Sequence, residues 1–243
     1  MDLIPAIDLR GGEVVRLTEG RDDQKTSYGR DPRQVLEEFA AAGAEWVHVV
    51  DLDAAFGELP QRRLIAELVK ASTVKIELGG GLRGADAVRW ALDEVGCERV
   101  IMGSMVAKAT DAFIALVTAH PGRLVPAVEV AAGRVRIAGW TEDAAVGIDE
   151  LCHRLRGLDC PAILVTDVER DGTLVGPNVD LCRRVARESG LPVLLSGGVR
   201  SLEDLEAASQ VDEIAGAIVG KAIYEGVFTV ADALAVVKGG GHG

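Results

Sequence analysis

The sequence has no surplus of basic residues, and this absence excludes one large class of partner. Its formal net charge at pH 7 is −12, with 26 Lys and Arg against 38 Asp and Glu. Proteins that bind nucleic acids need a basic stripe that displaces counterions from phosphates, and no such stripe is present. Any phosphate that binds this chain must therefore be held locally, by a few groups.

Cysteine is scarce and long hydrophobic runs are missing. The four cysteines form no C-x-x-C pair, and the chain starts on a strand-like run rather than on a charged and then apolar leader. These features predict a reduced, cytoplasmic protein. No apolar stretch approaches the roughly 20 residues that a membrane-spanning helix needs, so we predict no membrane contact.

Motifs of several enzyme classes are absent as well. No spacing of His, Cys and acidic residues suggests zinc, no Gly-x-Ser-x-Gly elbow suggests a hydrolase, and no Gly-x-Gly-x-x-Gly opens a helix after a strand. His48 lies between valines of a predicted strand, and we expect it to be a packed core residue rather than a ligand.

What the sequence does contain is a regular alternation of short apolar runs and longer amphipathic stretches. Runs that are apolar throughout are typical of parallel strands buried on both faces. Eight such strands are predicted: LIPAID, WVHVVD, VKIEL, RVIM, LVPAVEV, AILVTD, PVLLS and GAIVG. Eight strand–helix units in 243 residues predict a single α/β domain, a (β/α)₈ barrel.

Some helix ends are also readable. Asp31 is a predicted N-cap with Pro32 in the first helical position and Gly43 just past the end. Ser201 and Asp204 have the spacing of a capping box. These signals place helices directly after loops, as a barrel requires.

The chain repeats itself at half its length. Four pairs of segments match in the same order and at nearly constant separation: IPAIDLRGG with VPAVEVAAG, VVDLDAAFG with VTDVERDGT, LGGGLRGADAV with LSGGVRSLEDL, and VIMGSMVAK with AIVGKAIYEG. A barrel of two duplicated (β/α)₄ halves is therefore predicted. The halves span about residues 1–122 and 123–238, with 239–243 as a frayed tail.

Four carboxylates end predicted strands at matching places in the two halves, namely Asp8, Asp51, Glu129 and Asp167. In (β/α)₈ barrels the active site lies at the carboxyl ends of the strands. Asp51 and Asp167 are open to two interpretations, a role in the site or hydrogen bonds to loop backbone. Asp8 ends a nearly uncharged strand, so we predict that it points into the mouth of the barrel.

Glycine-rich loops follow four of the strands. GGGLR and SGGVR follow the third and seventh strands, and MGS and VGKA follow the fourth and eighth. Glycine allows backbone N–H groups to approach an anion closely, and the next helix adds its positive end. We therefore predict two phosphate sites on opposite sides of the mouth, spanned by a ligand with a phosphate at each end. The alternative is that these glycines only permit tight turns.

At these motifs the sequence resembles a known family over essentially its whole length. The motifs are IPAIDLRGG, HVVDLDAAFG, GGGLR, GRVRIAGW, TDVERDGTLVGPN, SGGVRS and AIVGKAIYEG. They resemble the histidine-biosynthesis isomerases that act on phosphoribosylformimino-5-aminoimidazole carboxamide ribotide, which has two phosphates. The resemblance implies an Amadori rearrangement of an aminoaldose to an aminoketose by acid–base catalysis, without metal or organic cofactor.

The resemblance also implies roles for particular residues. Asp8 looks like the general base and Asp171 like the general acid, with Thr166 as a supporting hydroxyl. Glu129 stands where the family usually has an aspartate that is described as a proton donor. Either Asp171 is the acid, or the longer side chain reduces activity. Trp140 resembles a loop residue that stacks on the substrate, and the alternative is an exposed hydrophobic anchor.

The other contacts that we expect are to the substrate and its phosphates. They come from Gly80, Gly81, Gly103 and Ser104 on one side, and from Arg16, Gly172, Gly198, Gly220 and Lys221 on the other.

Specificity stays open at this stage. TSYG, AEWVHVVDLDAAFG and TDVERDGTLVGPN resemble actinobacterial members that also isomerise phosphoribosylanthranilate. Those members tend to carry arginine two residues before the tryptophan, where this chain has Ala138. Arg136 is close in sequence, and Arg16 and Arg21 are further candidates to bind a carboxylate.

Two other classes are weighed against the isomerase. A sister cyclase shares the duplication but usually has cysteine at the position of Ala6, and the GW and DGTL stretches favour the isomerase. A non-catalytic phosphosugar-binding barrel would keep the glycine loops and lose the carboxylates, and Glu129 keeps this alternative open. Nothing in the sequence requires more than a monomer.

Overall fold

Eight parallel strands close into a barrel in the computed structural model of the protein, which describes residues 1–239. The strands of this part of the chain are β1 (Asp2–Arg10), β2 (Glu13–Thr18), β3 (Arg21–Ser27), β4 (Trp46–Asp51), β5 (Lys75–Gly79), β6 (Arg99–Met102), β7 (Leu124–Ala131), β8 (Arg134–Ile137), β9 (Glu142–Asp143), β10 (Ile163–Asp167), β11 (Val193–Ser196) and β12 (Ile214–Val219). The barrel order is β1-β4-β5-β6-β7-β10-β11-β12, and β12 pairs with β1. The predicted single (β/α)₈ barrel is confirmed.

The helices surround the barrel. In the described residues they are α1 (Pro32–Ala41), α2 (Leu52–Ala55), α3 (Arg62–Ala71), α4 (Ala85–Arg89), α5 (Ser104–Lys108), α6 (Thr110–Ala119), α7 (Ile148–Leu155), α8 (Val179–Ser189), α9 (Leu202–Ser209), α10 (Lys221–Tyr224) and α11 (Val230–Gly239). A π-helical segment, Trp90–Val95, continues α4. None of these helices is long and apolar enough to cross a membrane.

The predicted helix ends are present, with one difference in detail. The Asp31 side chain accepts from the N–H of Arg33 and caps α1, and Gly43 follows the helix with φ +93°. Ser201 accepts from the N–H of Asp204 and caps α9. The Asp204 carboxylate accepts from the N–H of Arg200 rather than from the capping residue itself.

The loops after the first and fifth barrel strands contain hairpins. After β1 the chain forms the antiparallel pair β2–β3, and after β7 it forms β8 and the short β9. The strand β3, RDDQKTS, is exposed at every residue, so no alternation of apolar and polar residues marks it. Both hairpins rise from the carboxyl ends of barrel strands, where they border the mouth.

The buried side chains form two layers. The larger one fills the space between the strands and the outer helices. The smaller one lies inside the barrel and is apolar on one side, with residues such as Ile4, Val125 and Leu164. The other side of the interior is charged and contains Glu77 and Arg99. This charged side extends to His48 in the wall of the larger cavity.

The two halves keep the same local geometry at their matching glycines. Gly80 and Gly197 both have φ +90°, and each packs against a strand-end carbonyl. A Cβ on Gly80 would lie 2.2 Å from the carbonyl oxygen of Asp51, and one on Gly197 would lie 2.9 Å from that of Asp167. These close approaches require glycine in both halves.

The tail that we predicted at 239–243 falls mostly outside the described residues. Gly239 is the last residue of α11 rather than part of a tail, and residues 240–243 are not described. The half-barrel boundaries stay a prediction.

Candidate active site

The mouth of the barrel holds a cavity of about 1170 Å³, including its open end, and a smaller one of about 260 Å³ beside it. The predicted site residues all line one or both of them. The larger cavity is bordered by Asp8, Arg16, Gly80, Gly81, Gly103, Ser104, Glu129, Trp140, Thr166 and Asp171. The smaller is bordered by Gly172, Gly198, Gly220 and Lys221, and it shares Arg16 and Asp171 with the larger.

One guanidinium joins the two carboxylates at the centre of the site. Arg16 on β2 donates to Asp8 Oδ2 over 2.7 Å and to Asp171 Oδ1 over 3.4 Å. Asp8 lies on β1, and Asp171 follows β10 in a loop whose backbone bonds back to Asp167. The hairpin after β1 therefore brings a cation between an acidic residue of each half of the barrel.

Burial and charge set the protonation of this group. Burial lowers the pKa of Arg16, but Asp8 and Asp171 outweigh it, so the pKa is raised above its ordinary value and the guanidinium stays charged. Burial raises the pKa of Asp171, and Asp8 adds to the rise while Arg16 opposes it. A carboxyl group with a raised pKa is suited to donate a proton near neutral pH.

Glu129 lies on β7 in register with Thr166 on β10. Burial raises its pKa to about 7, and a hydrogen bond from the Trp140 side chain opposes the rise. Its carboxyl group reaches toward β6, because a Cβ on Gly103 would lie 2.9 Å from Glu129 Oε2. The extra methylene thus directs Glu129 toward Gly103 and Trp140, whereas Asp8 and Asp171 meet at Arg16.

The hairpins after β1 and β7 meet over the cavity. A Cβ on Gly20, in the turn between β2 and β3, would lie 2.2 Å from Trp140 Cε3. Trp140 has φ +67°, which is unusual for a residue other than glycine. Arg136 donates to its carbonyl oxygen over 3.1 Å, and the N–H of Ala138 donates to Ser104 Oγ over 2.8 Å. Trp140 is therefore a wall of the cavity and not an exposed anchor.

The first glycine site consists of Gly80, Gly81, Gly103 and Ser104. Its two leading glycines have positive φ, and a Cβ on Gly81 would lie 2.3 Å from that of Ala54. Arg83 lines the same part of the cavity and donates to the carbonyl oxygen of Ala55 over 2.8 Å. The site combines exposed backbone with one nearby cation.

The second glycine site consists of Gly172, Gly198, Gly220 and Lys221. Lys221 Nζ donates to the carbonyl oxygen of Gly172 over 2.7 Å. Arg16 lies against Gly220, where a Cβ would be 2.5 Å from the guanidinium carbon. The buried Arg16 Nε has no hydrogen-bond partner. An anion here would meet two cations.

Asp51 and Asp167 follow the second of the two interpretations left open above. Asp51 accepts from the N–H groups of Ala54 and Gln61, over 3.1 and 2.8 Å. Asp167 accepts from Asn178 Nδ2 over 2.6 Å and pairs with Arg170. Both carboxylates hold loops in place and do not line either cavity.

Sequence reasoning missed two ionisable side chains that line the larger cavity, His48 and Arg83. His48 was expected to be packed in the core, and it is indeed 6% exposed, but it lies in the cavity wall. His48 shares a strand face with Val50, which is opposite Asp8 in the register and also lines the cavity, and this alternation is the signal that would have found it. Arg83 lies two residues after the third glycine of GGGLR. A basic residue so close to a glycine loop that is predicted to bind phosphate is a signal for a phosphate contact.

Comparison with known proteins agrees with this geometry. A profile of the family described as "Histidine biosynthesis protein" matches residues 2–229. The chain is 41% identical to a 1-(5-phosphoribosyl)-5-((5-phosphoribosylamino)methylideneamino) imidazole-4-carboxamide isomerase of Thermobifida fusca, over 98% of this chain and 97% of the relative. It is 43% identical to the isomerase of the same name of Rhizorhabdus wittichii, over 98% of each chain. It is 42% identical to a protein of Mycobacteroides abscessus named phosphoribosyl isomerase A, over 97% of this chain and 98% of the relative.

Proposed function

The chain belongs to the histidine biosynthesis protein family, and we propose that its barrel mouth isomerises the two-phosphate aminoaldose named in its relatives to the corresponding aminoketose. The reaction is intramolecular. The acid protonates the ring oxygen as its bond to C1 breaks, and the base removes the proton on C2. C1 then takes up a proton and the C2 hydroxyl gives up its proton to become a ketone, so that no atom is gained or lost. Such a reaction needs one proton donor and one proton acceptor.

The observation that carries this proposal is the pair of carboxylates on one cation between two glycine sites. Asp8 and Asp171 share Arg16 at the centre of the mouth. The first glycine site lies after β5 and β6, and the second lies after β11 and β12, on the opposite side of the barrel. A ligand with a phosphate at each end would place its middle over the carboxylates.

We assign Asp8 as the base and Asp171 as the acid. Asp8 lies in the wall of the larger cavity with one oxygen 2.7 Å from Arg16, and a carboxylate there can accept the C2 proton. Burial raises the pKa of Asp171, which favours the protonated form that an acid requires. Thr166 lies beside Glu129 in the strand register, on the strand that leads into the loop of Asp171. We assign its hydroxyl group a supporting role next to the acid. Glu129 supports loop closure through Trp140.

The glycine sites would hold the phosphates through backbone N–H groups. Each site also has a cation at its edge, Arg83 at the first and Lys221 at the second. Arg16 Nε is buried and unpaired beside Gly220, so a phosphate in the second glycine site would supply its missing partner. Phosphate binding would thereby be coupled to the cation that holds both carboxylates.

A second activity on phosphoribosylanthranilate is not favoured. The arginines considered for its carboxylate are already paired: Arg16 with Asp8 and Asp171, Arg21 with Asp23, and Arg136 with Asp143 and the Trp140 carbonyl. The relatives named above are isomerases, so they support neither the cyclase nor a barrel that only binds phosphosugars.

The test is steady-state turnover by the purified protein. We expect conversion of the histidine-pathway aminoaldose and no measurable conversion of phosphoribosylanthranilate. Turnover of the second substrate alone, or of neither, would contradict the proposal.

The Asp8→Asn variant tests the mechanism. We expect kcat to fall by at least about a thousandfold, because the amide cannot accept the C2 proton, while KM and the melting temperature change little. Asp23→Asn is the matched control, since Asp23 lies on β3 of the hairpin that follows β1 and its side chain is 69% exposed. Equal activity of the two variants would remove Asp8 from the mechanism.

A further inference from the structure

A row of three ionisable side chains crosses the barrel interior below the cavity and has no role in the function proposed so far. His48 on β4, Glu77 on β5 and Arg99 on β6 are neighbours in the strand register, His48 opposite Glu77 and Glu77 opposite Arg99. Buried ionisable groups are costly unless they are paired, so a complete row inside a barrel calls for a reason.

The row is bonded end to end. His48 Nδ1 lies 2.6 Å from Glu77 Oε1. Arg99 Nε donates to Glu77 Oε2 over 2.7 Å, and a second guanidinium nitrogen lies 2.6 Å from the same oxygen. Arg99 is stacked on Trp46 at 4.1 Å from the ring centre. Glu77 is 0% exposed, and each of its two carboxylate oxygens has a partner within the row.

These contacts determine which way the imidazole faces. Burial raises the pKa of Glu77, but His48 and Arg99 outweigh burial and lower it, so Glu77 is ionised and can only accept. The hydrogen between the two side chains is therefore on His48 Nδ1. This contact holds the ring, and Nε2 is the nitrogen left for another partner.

The edge of the imidazole ring that carries Cε1 and Nε2 forms part of the cavity wall. His48 lines the larger cavity, and its Cε1 and Nε2 lie 3.6 and 3.8 Å from where a Cβ of Gly79 would be. In the strand register His48 is opposite Ala6, two residues before Asp8 on the same face of β1. The imidazole therefore forms the floor of the mouth directly below the base.

We propose that His48 is a substrate-contacting residue whose Nε2 hydrogen-bonds the C2 hydroxyl of the ribosyl group, and that Glu77 and Arg99 are positioning residues that aim the ring. The inference rests on the proposed function for the identity of the sugar. A hydroxyl group both donates and accepts, so it matches Nε2 with or without a proton. The contact holds C2 above the floor, where Asp8 removes its proton.

The test compares two ligands that differ only in that hydroxyl group, ribose 5-phosphate and 2-deoxyribose 5-phosphate, by calorimetric titration of the wild type and of His48→Asn. Asparagine keeps a donor toward Glu77 and lacks a counterpart of Nε2. We expect the wild type to bind the ribose compound about tenfold more tightly, the effect of one hydrogen bond. We expect the preference to fall below about twofold in His48→Asn.

A second variant separates contact from packing. His48→Gln carries an amide group near the position of Nε2 but loses the bond to Glu77, so we expect it to regain part of the preference. Melting temperatures of both variants identify any general loss of structure. If His48→Asn does not fold, His48→Gln alone tests the contact. Its ratio of affinities for ribose 5-phosphate and 2-deoxyribose 5-phosphate is expected to be above one and below that of the wild type.

The two proposals fail separately. The role of His48 would be overturned if both His48 variants kept the wild-type preference for ribose 5-phosphate, or if the wild type had no such preference. This holds whether or not the protein turns over the aminoaldose. Preference for the ribose compound that depends on His48, in a protein without isomerase activity, would support the contact and contradict the proposed function. A fall of about tenfold or more in kcat/KM for the aminoaldose is expected for His48→Asn when both proposals hold.

Discussion

Glu129 carries its carboxyl group one methylene further than the aspartate that the family resemblance implies for this position. In the structure the longer side chain reaches Gly103 and accepts a hydrogen bond from Trp140. A proton donor displaced by about 1 Å can lose about a hundredfold in rate. The chain has a second buried acid, Asp171, at the shared cation, and we propose that this residue supplies the proton.

The raised pKa of Glu129 predicts a pH-dependent stability. The unfolded chain ionises this group near its ordinary value of 4.5 and the folded chain only near 7, so the folded state binds more protons between these values. The favourable contribution of the neutral group is therefore complete below pH 4.5 and is lost as pH rises to about 7. We expect Glu129→Gln, which stays neutral, to raise the free energy of unfolding by about 1–3 kcal/mol at pH 8 and by much less at pH 5.

Urea denaturation of both proteins at pH 5 and pH 8 measures this effect. Glu37→Gln is the control, because Glu37 is exposed on α1, and it is expected to show no such difference. If wild type and Glu129→Gln lose or gain stability in parallel between the two pH values, Glu129 is not the group responsible.

At the scale of elements, the two hairpins of the mouth act through one contact between backbone and ring. Gly20, at the tip of the β2–β3 hairpin, lies against the Trp140 indole of the loop after β8. The first hairpin is also tied to the loop after β10, since the N–H of Glu19 donates to the carbonyl oxygen of Asp171 over 3.1 Å. These contacts hold the first hairpin, which carries Arg16, against the loops that carry Trp140 and Asp171.

Gly20→Ala is predicted to separate these hairpins. The added Cβ would lie 2.2 Å from Trp140 Cε3, so the indole must move from the cavity wall. We expect kcat/KM for the aminoaldose to fall about tenfold to a hundredfold through misplacement of the loop groups. Steady-state kinetics measure the loss.

Gly12→Ala is the matched control for that experiment. Gly12 lies in the turn before β2 and has φ +85°, close to the +68° of Gly20, but a Cβ on it would meet nothing within 4 Å. Both variants carry a similar backbone strain, and only Gly20→Ala meets the ring. A similar kinetic loss in both would assign the effect to strain and not to the contact.

At the scale of the whole molecule, the duplication explains why a single barrel has two anion sites. The glycine turns after β5 and β11 have nearly the same backbone angles, and short helices begin after Gly103 and Gly220 in the two halves. A closed barrel of two equivalent halves places these sites across its diameter. The substrate is then recognised at both ends, and the middle is left for chemistry.

We predict that the two sites contribute independently to binding. Arg83→Met at the first glycine site and Lys221→Met at the second are each expected to raise KM for the aminoaldose about tenfold, since each removes a charged hydrogen-bond donor. In the double variant the two factors should multiply, because the sites lie on opposite sides of the mouth and share no partner. Steady-state KM values for the four proteins are the measurement.

A double variant no worse than either single one would mean that only one phosphate is held at a time. Inhibition by ribose 5-phosphate supplies the control, because a ligand with one phosphate should be weakened by only one of the two substitutions.

Much of this protein could be predicted from local patterns. Strands buried on both faces must be apolar throughout, so runs such as WVHVVD and RVIM mark β4 and β6 with their observed bounds. Because the strands are parallel, their carboxyl ends meet at the same mouth, and the predicted site residues line it. The hairpin strand β3 could not be predicted, since it is polar and exposed and takes its place by pairing with β2, which lies outside the barrel.

The sequence by itself determined the barrel, its duplication and the set of groups at the mouth, because periodicity and strand-end position are local properties of the chain. Only the tertiary structure decided which groups meet. Arg16 and Asp171 are 155 positions apart and touch because the barrel closes, Glu129 turns to Trp140, and His48 faces the cavity because Glu77 holds its other nitrogen. Such pairings depend on distances across the barrel, which no local pattern encodes.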